Sequence, residues 1–212
     1  MIDLNTYLMF IGAAFILVIA PGPDMAYMLA RTIAQGRAAG FVAVAGINTG
    51  AYVHVLASVF GLTAILAASS VAFTVVKCAG ACYLLWIGYR ALTSKSTALN
   101  VEGNATPRMP TGAIFWQGFW SDVLNPKVAI FFLAFLPQFV DVANQKFGVT
   151  QQLLLLGVTC NVVAICTNLV LVYFASAMTS RLRRSQGLVA WMHKVMGALF
   201  IALGIRIASQ RL

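Results

Sequence analysis

The chain has 212 residues, 61% of them hydrophobic and only 9% charged, with a mean hydropathy of +0.88. A soluble domain carries about 25% charged residues, so the composition excludes an ordinary soluble protein and places the chain in a membrane. The formal net charge of +9 does not indicate a nucleic-acid partner. The basic residues do not cluster with aromatics on a polar surface but sit mostly at the ends of apolar segments, where they act as topology signals.

The first apolar run begins near residue 5. It is preceded by Met1-Ile2-Asp3, which lacks a basic leader, and no cleavage site follows it. It is expected to be a retained first span over about 5–30, ended by Arg31 and Arg37. From Ala38 to Val76 no Asp, Glu, Lys or Arg occurs. A helix of that length would be roughly 58 Å long, against a bilayer core of about 30 Å. The run must turn back, near Ala68-Ser69-Ser70, giving spans at about 39–66 and 71–92. Residues 93–113 form a polar linker on the cytoplasmic side, with Lys95, Glu102, Pro107, Arg108 and Pro110. The fourth span runs over about 114–138, the fifth over 149–178 and the sixth over 188–209. A short loop with Asp141, Asn144 and Lys146 separates the fourth from the fifth. The fold expected is therefore all-α, with six membrane helices.

Two of these spans are interrupted. Pro21-Gly22-Pro23-Asp24 lies inside the first and Asn125-Pro126-Lys127 inside the fourth. An internal proline removes a backbone donor and clashes with the preceding turn. Unwound backbone survives at membrane depth only where protein or a wet cavity surrounds it. Both breaks should face the interior. The carbonyls freed by the first half-helix can accept an ammonium. The amides that start the second can bind a carboxylate, with help from the helix dipole. Asp24 is a candidate ammonium ligand and proton carrier, or alternatively a half-helix cap. Lys127 needs an acidic partner, either Asp24 or Asp122, or it forms a structural ion pair between the two halves. Asn125 can cap the following half-helix, and Asp122 lies one turn before it. Asn48, Tyr52, Asn161 and Asn168 are the other polar groups inside spans, suited either to substrate contact or to joining helices. His54 reads as a hydrogen-bonded core group. Lys77 and Lys194 lie near opposite membrane faces, where their side chains can snorkel.

The spans repeat. Lys77-Cys78-Ala79-Gly80-Ala81 leads to Gly88-Tyr89-Arg90, as Lys194-Val195-Met196-Gly197-Ala198 leads to Gly204-Ile205-Arg206. The first and fourth spans share a proline break. The second and fifth share Gly46, Asn48 and Thr49 against Gly157, Thr159 and Asn161. Residues 1–92 and 114–212 thus read as two three-helix repeats. An odd number of spans per repeat inverts the second copy, the arrangement of many secondary transporters, whose sites lie at discontinuous helices near the midplane. Eight basic residues (Arg31, Arg37, Arg90, Lys95, Arg108, Arg181, Arg183 and Arg184) fall on one side of the six-span topology, and only Lys146, Arg206 and Arg211 on the other. This puts both termini outside.

The four cysteines, Cys78, Cys82, Cys160 and Cys166, read as small filler between helices. A thiol redox carrier would need them beside the prolines, and a metal-ion transporter would need more converging carboxylates, histidines or thiols than Asp24 and Asp122 supply. No Gly-x-x-x-x-Gly-Lys-[Ser/Thr] loop is present to bind ATP, and no cofactor is expected. Glycine-rich faces such as Gly80 to Gly88 could support pairing of two copies in the bilayer.

The combination resembles the LysE/RhtB family of bacterial amino-acid exporters. The resemblance is carried by Pro21-Gly22-Pro23-Asp24, by the Lys-x-x-Gly-Ala-x-Tyr-Leu-x-Trp-x-Gly stretch at 77–88, and by Asn125-Pro126-Lys127 with Phe131-Phe132-Leu133 and Phe135-Leu136-Pro137-Gln138-Phe139. It implies six spans in the bacterial inner membrane and efflux of amino acids or close derivatives, driven by the proton-motive force. The branch that handles homoserine, its lactone, threonine or leucine looks closer than the lysine/arginine branch. Substrate would be bound by Pro21, Gly22, Pro23, Asp24, Asn48, Asn125, Pro126, Lys127 and Asn161, and Asp24 or Asp122 would carry the proton.

Overall fold

The computed structural model describes residues 2–93, 108–144 and 147–175, with some side chains left out, chiefly in the fourth helix. It also describes eight scattered positions between Trp191 and Ile205. Among the described residues the fold is entirely helical. The linker at 94–107, Lys146, Arg181, Arg183, Arg184 and most of the sixth expected span lie outside them, as do the side chains of Lys77 and Arg90 and the surroundings of Gly80.

Helix α1 (Leu4–Ile19) starts at Asp3, whose carboxylate accepts the Thr6 amide at 3.2 Å. It ends at Ala20, before Pro21. Helix α2 (Pro23–Gln35) restarts with Pro23 in its first turn, where the missing N–H costs nothing. The two are bent by 56° and together are apolar and long enough for one crossing. This span continues past the expected end at residue 30. Arg31 stays inside α2, buried, with its guanidinium 5.7 Å from the Tyr27 ring centre. The aromatic face substitutes for water around the charge. The chain turns at Gly36, whose φ of 87° suits glycine alone.

Helix α3 (Arg37–Ala68) and helix α4 (Ser70–Thr93) are divided at Ser69, within the expected turn. Helix α5 (Thr111–Val123) and helix α6 (Pro126–Ile130) flank Asn125. The helical path continues from α6 through a π-helical turn at Phe131–Phe135 and a 3₁₀ turn at Leu136–Phe139, bent by 45° relative to α5. Helix α7 is Val149–Tyr173. Helices α3 and α7 qualify as spans by themselves. With the two bent pairs the described residues contain up to four candidate crossings; the third expected span, helix α4, and the sixth are not among them.

Packing follows residue size. Helix α5 lies against α3 where Gly46, Gly50 and Gly118 remove side chains from the crossing. A Cβ on Gly50 would stand 2.7 Å from Phe119 O, and one on Gly118 2.8 Å from Ala43 O. Small residues let membrane helices approach this closely. On the other side α1 packs along α7, joined by a Tyr7–Thr159 hydroxyl contact of 2.7 Å. Phe135 of the π-helical turn and Phe139 of the 3₁₀ turn pack on Phe10 of α1, and Phe131 lies behind Phe135, with ring centres 4.5–6.1 Å apart. Gly88 and Gly197 pack on each other's carbonyls, each with a Cβ position under 3.0 Å from the other's oxygen. Gly88 is therefore used within the chain, and the expectation that it lies on a face for a second copy is corrected. Cysteine as helix filler also needs correction. Cys160 is buried, but Cys82 on α4 and Cys166 on α7 are exposed, the latter on a helix whose Val162 and Val170 are exposed as well.

Candidate functional site

The two breaks meet. Asp24, in the first turn of α2, faces the end of α5: Ser121 Oγ donates to Asp24 Oδ1 at 3.0 Å, and Asn125 Nδ2 donates to Oδ2. Asn125 works twice, because its Oδ1 also accepts the Lys127 amide at 3.0 Å and so caps α6. The Lys127 side chain runs the opposite way. Its Nζ donates to Ala20 O at 2.9 Å and lies 3.4 Å from where a Cβ on Gly22 would sit. A cation there complements the negative end of the α1 dipole. Each broken span thus supplies what the other lacks: a carboxylate for the donors of the second, and an ammonium for the freed carbonyl of the first.

This geometry revises two expectations. Asp24 and Lys127 line the same cavity but do not form an ion pair within 4.0 Å, nor do Asp122 and Lys127. Asn125 stands between acid and base. The freed carbonyl at Ala20, expected to be open to an incoming ammonium, is taken by Lys127.

The cavity lies beside this junction. Gly22, Asp24, Asn48, Asp122, Lys127, Asn161 and Asn168 contribute polar groups to its wall, and Leu17, Ile47, Val128, Phe132 and Cys160 contribute apolar ones. Its volume is about 70 Å³, measured as the space open to the centre of a water-sized sphere, several times the roughly 10–15 Å³ that holds one water on that measure. Asn161 Nδ2 of α7 donates to the Asn48 backbone carbonyl of α3 at 3.1 Å, and Asn48 Nδ2 bonds back to Val44 O at 2.8 Å. Behind Asp122 stands His54, with Nε2 2.9 Å from the Asp122 carbonyl and 3.8 Å from its Oδ2.

Of the expected site residues, Gly22, Asp24, Asn48, Asp122, Lys127 and Asn161 line this one cavity. Pro21, Pro23, Asn125 and Pro126 shape the breaks beside it. Tyr52 is exposed on α3 and does not reach it. Ser121 is the contributor that sequence reasoning missed. Its place in the last turn of α5, just before the break, is the signal that could have found it. Among the described residues no three His, Cys, Asp or Glu side chains converge as metal ligands.

Residues 15–211 match the family described as LysE type translocator. The chain is similar to the leucine efflux protein of Klebsiella pneumoniae, at 30% identity over 96% of this chain and 93% of that protein. The leucine efflux proteins of Salmonella choleraesuis and an Enterobacter species are each 29% identical over 97% of this chain, covering 95% and 96% of their own lengths. No solved structure matches the chain significantly.

Proposed function

We propose that this chain exports amino acids or close derivatives across the bacterial inner membrane, because it belongs to the LysE type translocator family and is a membrane transporter, not an enzyme. The observation that carries the reading is the meeting of two proline-broken spans at one cavity holding both acid and base. A zwitterion needs a cationic contact at one end and an anionic or carbonyl contact at the other. The leucine efflux relatives favour a small neutral substrate of the leucine, threonine or homoserine class.

Two three-helix repeats, 1–92 and 114–212, related by inversion, form the framework. The support is an exchange of partners. The first half of each broken span packs on the middle helix of the other repeat, α1 on α7 and α5 on α3, and Asn161 of one middle helix bonds to the Asn48 carbonyl of the other. Rocking of one repeat against the other would open the cavity alternately to each side. The basic loops would be cytoplasmic and both termini outside. Export would be driven by protons taken up from outside at Asp24 or Asp122, the carboxylates on the cavity wall. The test is efflux from leucine- or threonine-loaded proteoliposomes under an imposed proton gradient. Asp24→Asn or Asp122→Asn should abolish acceleration by the gradient while leaving substrate exchange. If the wild type moves no amino acid, the reading fails. If both variants remain gradient-driven at the normal rate, the carboxylates are not the coupling groups.

A further inference from the structure

Three buried acceptor atoms on residues that line the cavity have no donor among the described residues. Asn48 and Asn161 are only 5% and 1% exposed. Each commits its amide N–H to a backbone carbonyl, Val44 O and Asn48 O respectively. Those carbonyls can only accept, so neither side-chain amide can be turned round. Asn48 Oδ1 and Asn161 Oδ1 are therefore buried without a hydrogen-bond partner among the described residues, and Asp122 Oδ2, on a residue 3% exposed, is a third. His54 Nε2, at 3.8 Å, is too far from that oxygen for a hydrogen bond. Buried polar atoms left unpaired are costly and rare, and here three belong to residues lining one cavity. The other candidates for an ammonium already have donors, unlike these three atoms. Asp24 accepts from Ser121 and Asn125, and Ala20 O accepts from Lys127.

We propose that Asn48, Asn161 and Asp122 form the ammonium subsite for the exported amino acid, with Lys127 across the cavity as its carboxylate contact; this rests on the exporter reading above. A primary ammonium has three N–H donors, as many as the unpaired acceptors on these residues. Asp24 is then a latch between the broken spans and not the primary ammonium ligand. The two asparagines come from α3 and α7, the middle helices of the two halves, so an ammonium between them keeps contacts to both as the halves move.

The test is binding to the purified full chain in detergent, read by ligand-dependent thermal stabilisation. The probes are L-leucine and L-threonine, each paired with its amine-free acid, 4-methylpentanoate and 3-hydroxybutanoate. Wild type should prefer the amine-bearing member at least tenfold. In Asn48→Ala and Asn161→Ala that preference should shrink about ten- to a hundredfold, the loss expected for one charge-assisted hydrogen bond. Asn48→Ala breaks only a bond within its own helix, so it decides the matter even if Asn161→Ala fails to fold. If leucine or threonine binds wild type and both alanine variants keep the full preference, the subsite is wrong and the exporter reading stands. If no amino acid stabilises wild type, both fall. Stabilisation of ligand-free wild type by sodium chloride over choline chloride, lost in Asn48→Ala, would mean that the acceptors hold a metal cation, and would also overturn the subsite.

Discussion

Asn125→Ala should be the most damaging small change at the junction, because one side chain makes two bonds there. Its Nδ2 donates to the Asp24 carboxylate and its Oδ1 caps α6 at the Lys127 amide. Hydrogen bonds to charged groups contribute about 1.5–3 kcal/mol, whereas polar bonds between membrane helices average about 0.6 and reach about 1.7 kcal/mol. Asp24 is half-buried and would keep Ser121, so about 1.5 kcal/mol is the appropriate share for the first bond. Loss of an N-cap adds about 1 kcal/mol. The combined loss of about 2.5 kcal/mol should lower the midpoint of thermal unfolding by about 5–10 °C for a chain of this size. Asn125→Ser separates the two contributions. Serine still caps a helix but is too short to bridge to Asp24, so it should lose only the larger share. Unfolding of the purified variants in one detergent, followed by tryptophan fluorescence, measures both. Equal midpoints for the two variants, or an alanine variant within about 0.5 kcal/mol of wild type, the size of a bland surface change, would refute the double role.

Two further outcomes follow from the packing and the cavity. Gly46→Ala places a Cβ on Phe115 O, with Phe115 C at 3.0 Å, and both obstacles are backbone. Helices α3 and α5 must separate, so folded yield should drop and stability should fall by about 1–3 kcal/mol; Gly12→Ala, with nothing within 4 Å, is the neutral control in the same melt. Lys127→Met should leave the protein folded, since an apolar replacement relieves a buried charge, yet reduce leucine efflux from proteoliposomes at least tenfold. Normal efflux by that variant would remove Lys127 from the substrate path.

The parts of the fold that were legible are those with a strong covalent or length signature. Proline forbids a continuous helix, so both breaks were readable from sequence. The turn at Ser69 followed from a charge-free run too long for one crossing. What was illegible depends on direction. Arg31 reads as the end of a span because a charge in lipid is costly, but Tyr27, one turn earlier, gives it an aromatic face inside α2. The π-helical turn at Phe131–Phe135 needs no special residue type and left no mark. At the site, sequence supplied the acid, the amide and the base but not their pairing. A lysine at a helix start can reach forward or back, and only the packed position of α1 shows that Lys127 reaches Ala20.

That pairing raises a question of mechanism, whether the junction needs a charge at residue 24 or only a bridge between the spans. Exchanging the two residues answers it. Asn125→Asp alone sets two carboxylates against each other, where like charges at hydrogen-bond distance repel strongly. Asp24→Asn alone replaces a charge-assisted bond with a neutral one. The double exchange Asp24→Asn/Asn125→Asp restores one carboxylate and one amide in contact, and aspartate can still cap α6. It should therefore be more stable than the sum of the single changes predicts, with a coupling of about 0.5–3 kcal/mol, as for residues in direct contact. Efflux in the exchanged variant then separates the roles. If Asp24 is a latch, bridging is enough, and transport should recover with stability. If Asp24 is the proton carrier, a carboxylate moved to the start of α6 stands on the wrong span beside Lys127, and transport stays lost although the fold is regained. The ammonium subsite at Asn48, Asn161 and Asp122 is compatible with either result, because it takes ammonium binding and not proton coupling away from Asp24. Recovery of stability without recovery of gradient-driven efflux would return the coupling role to Asp24.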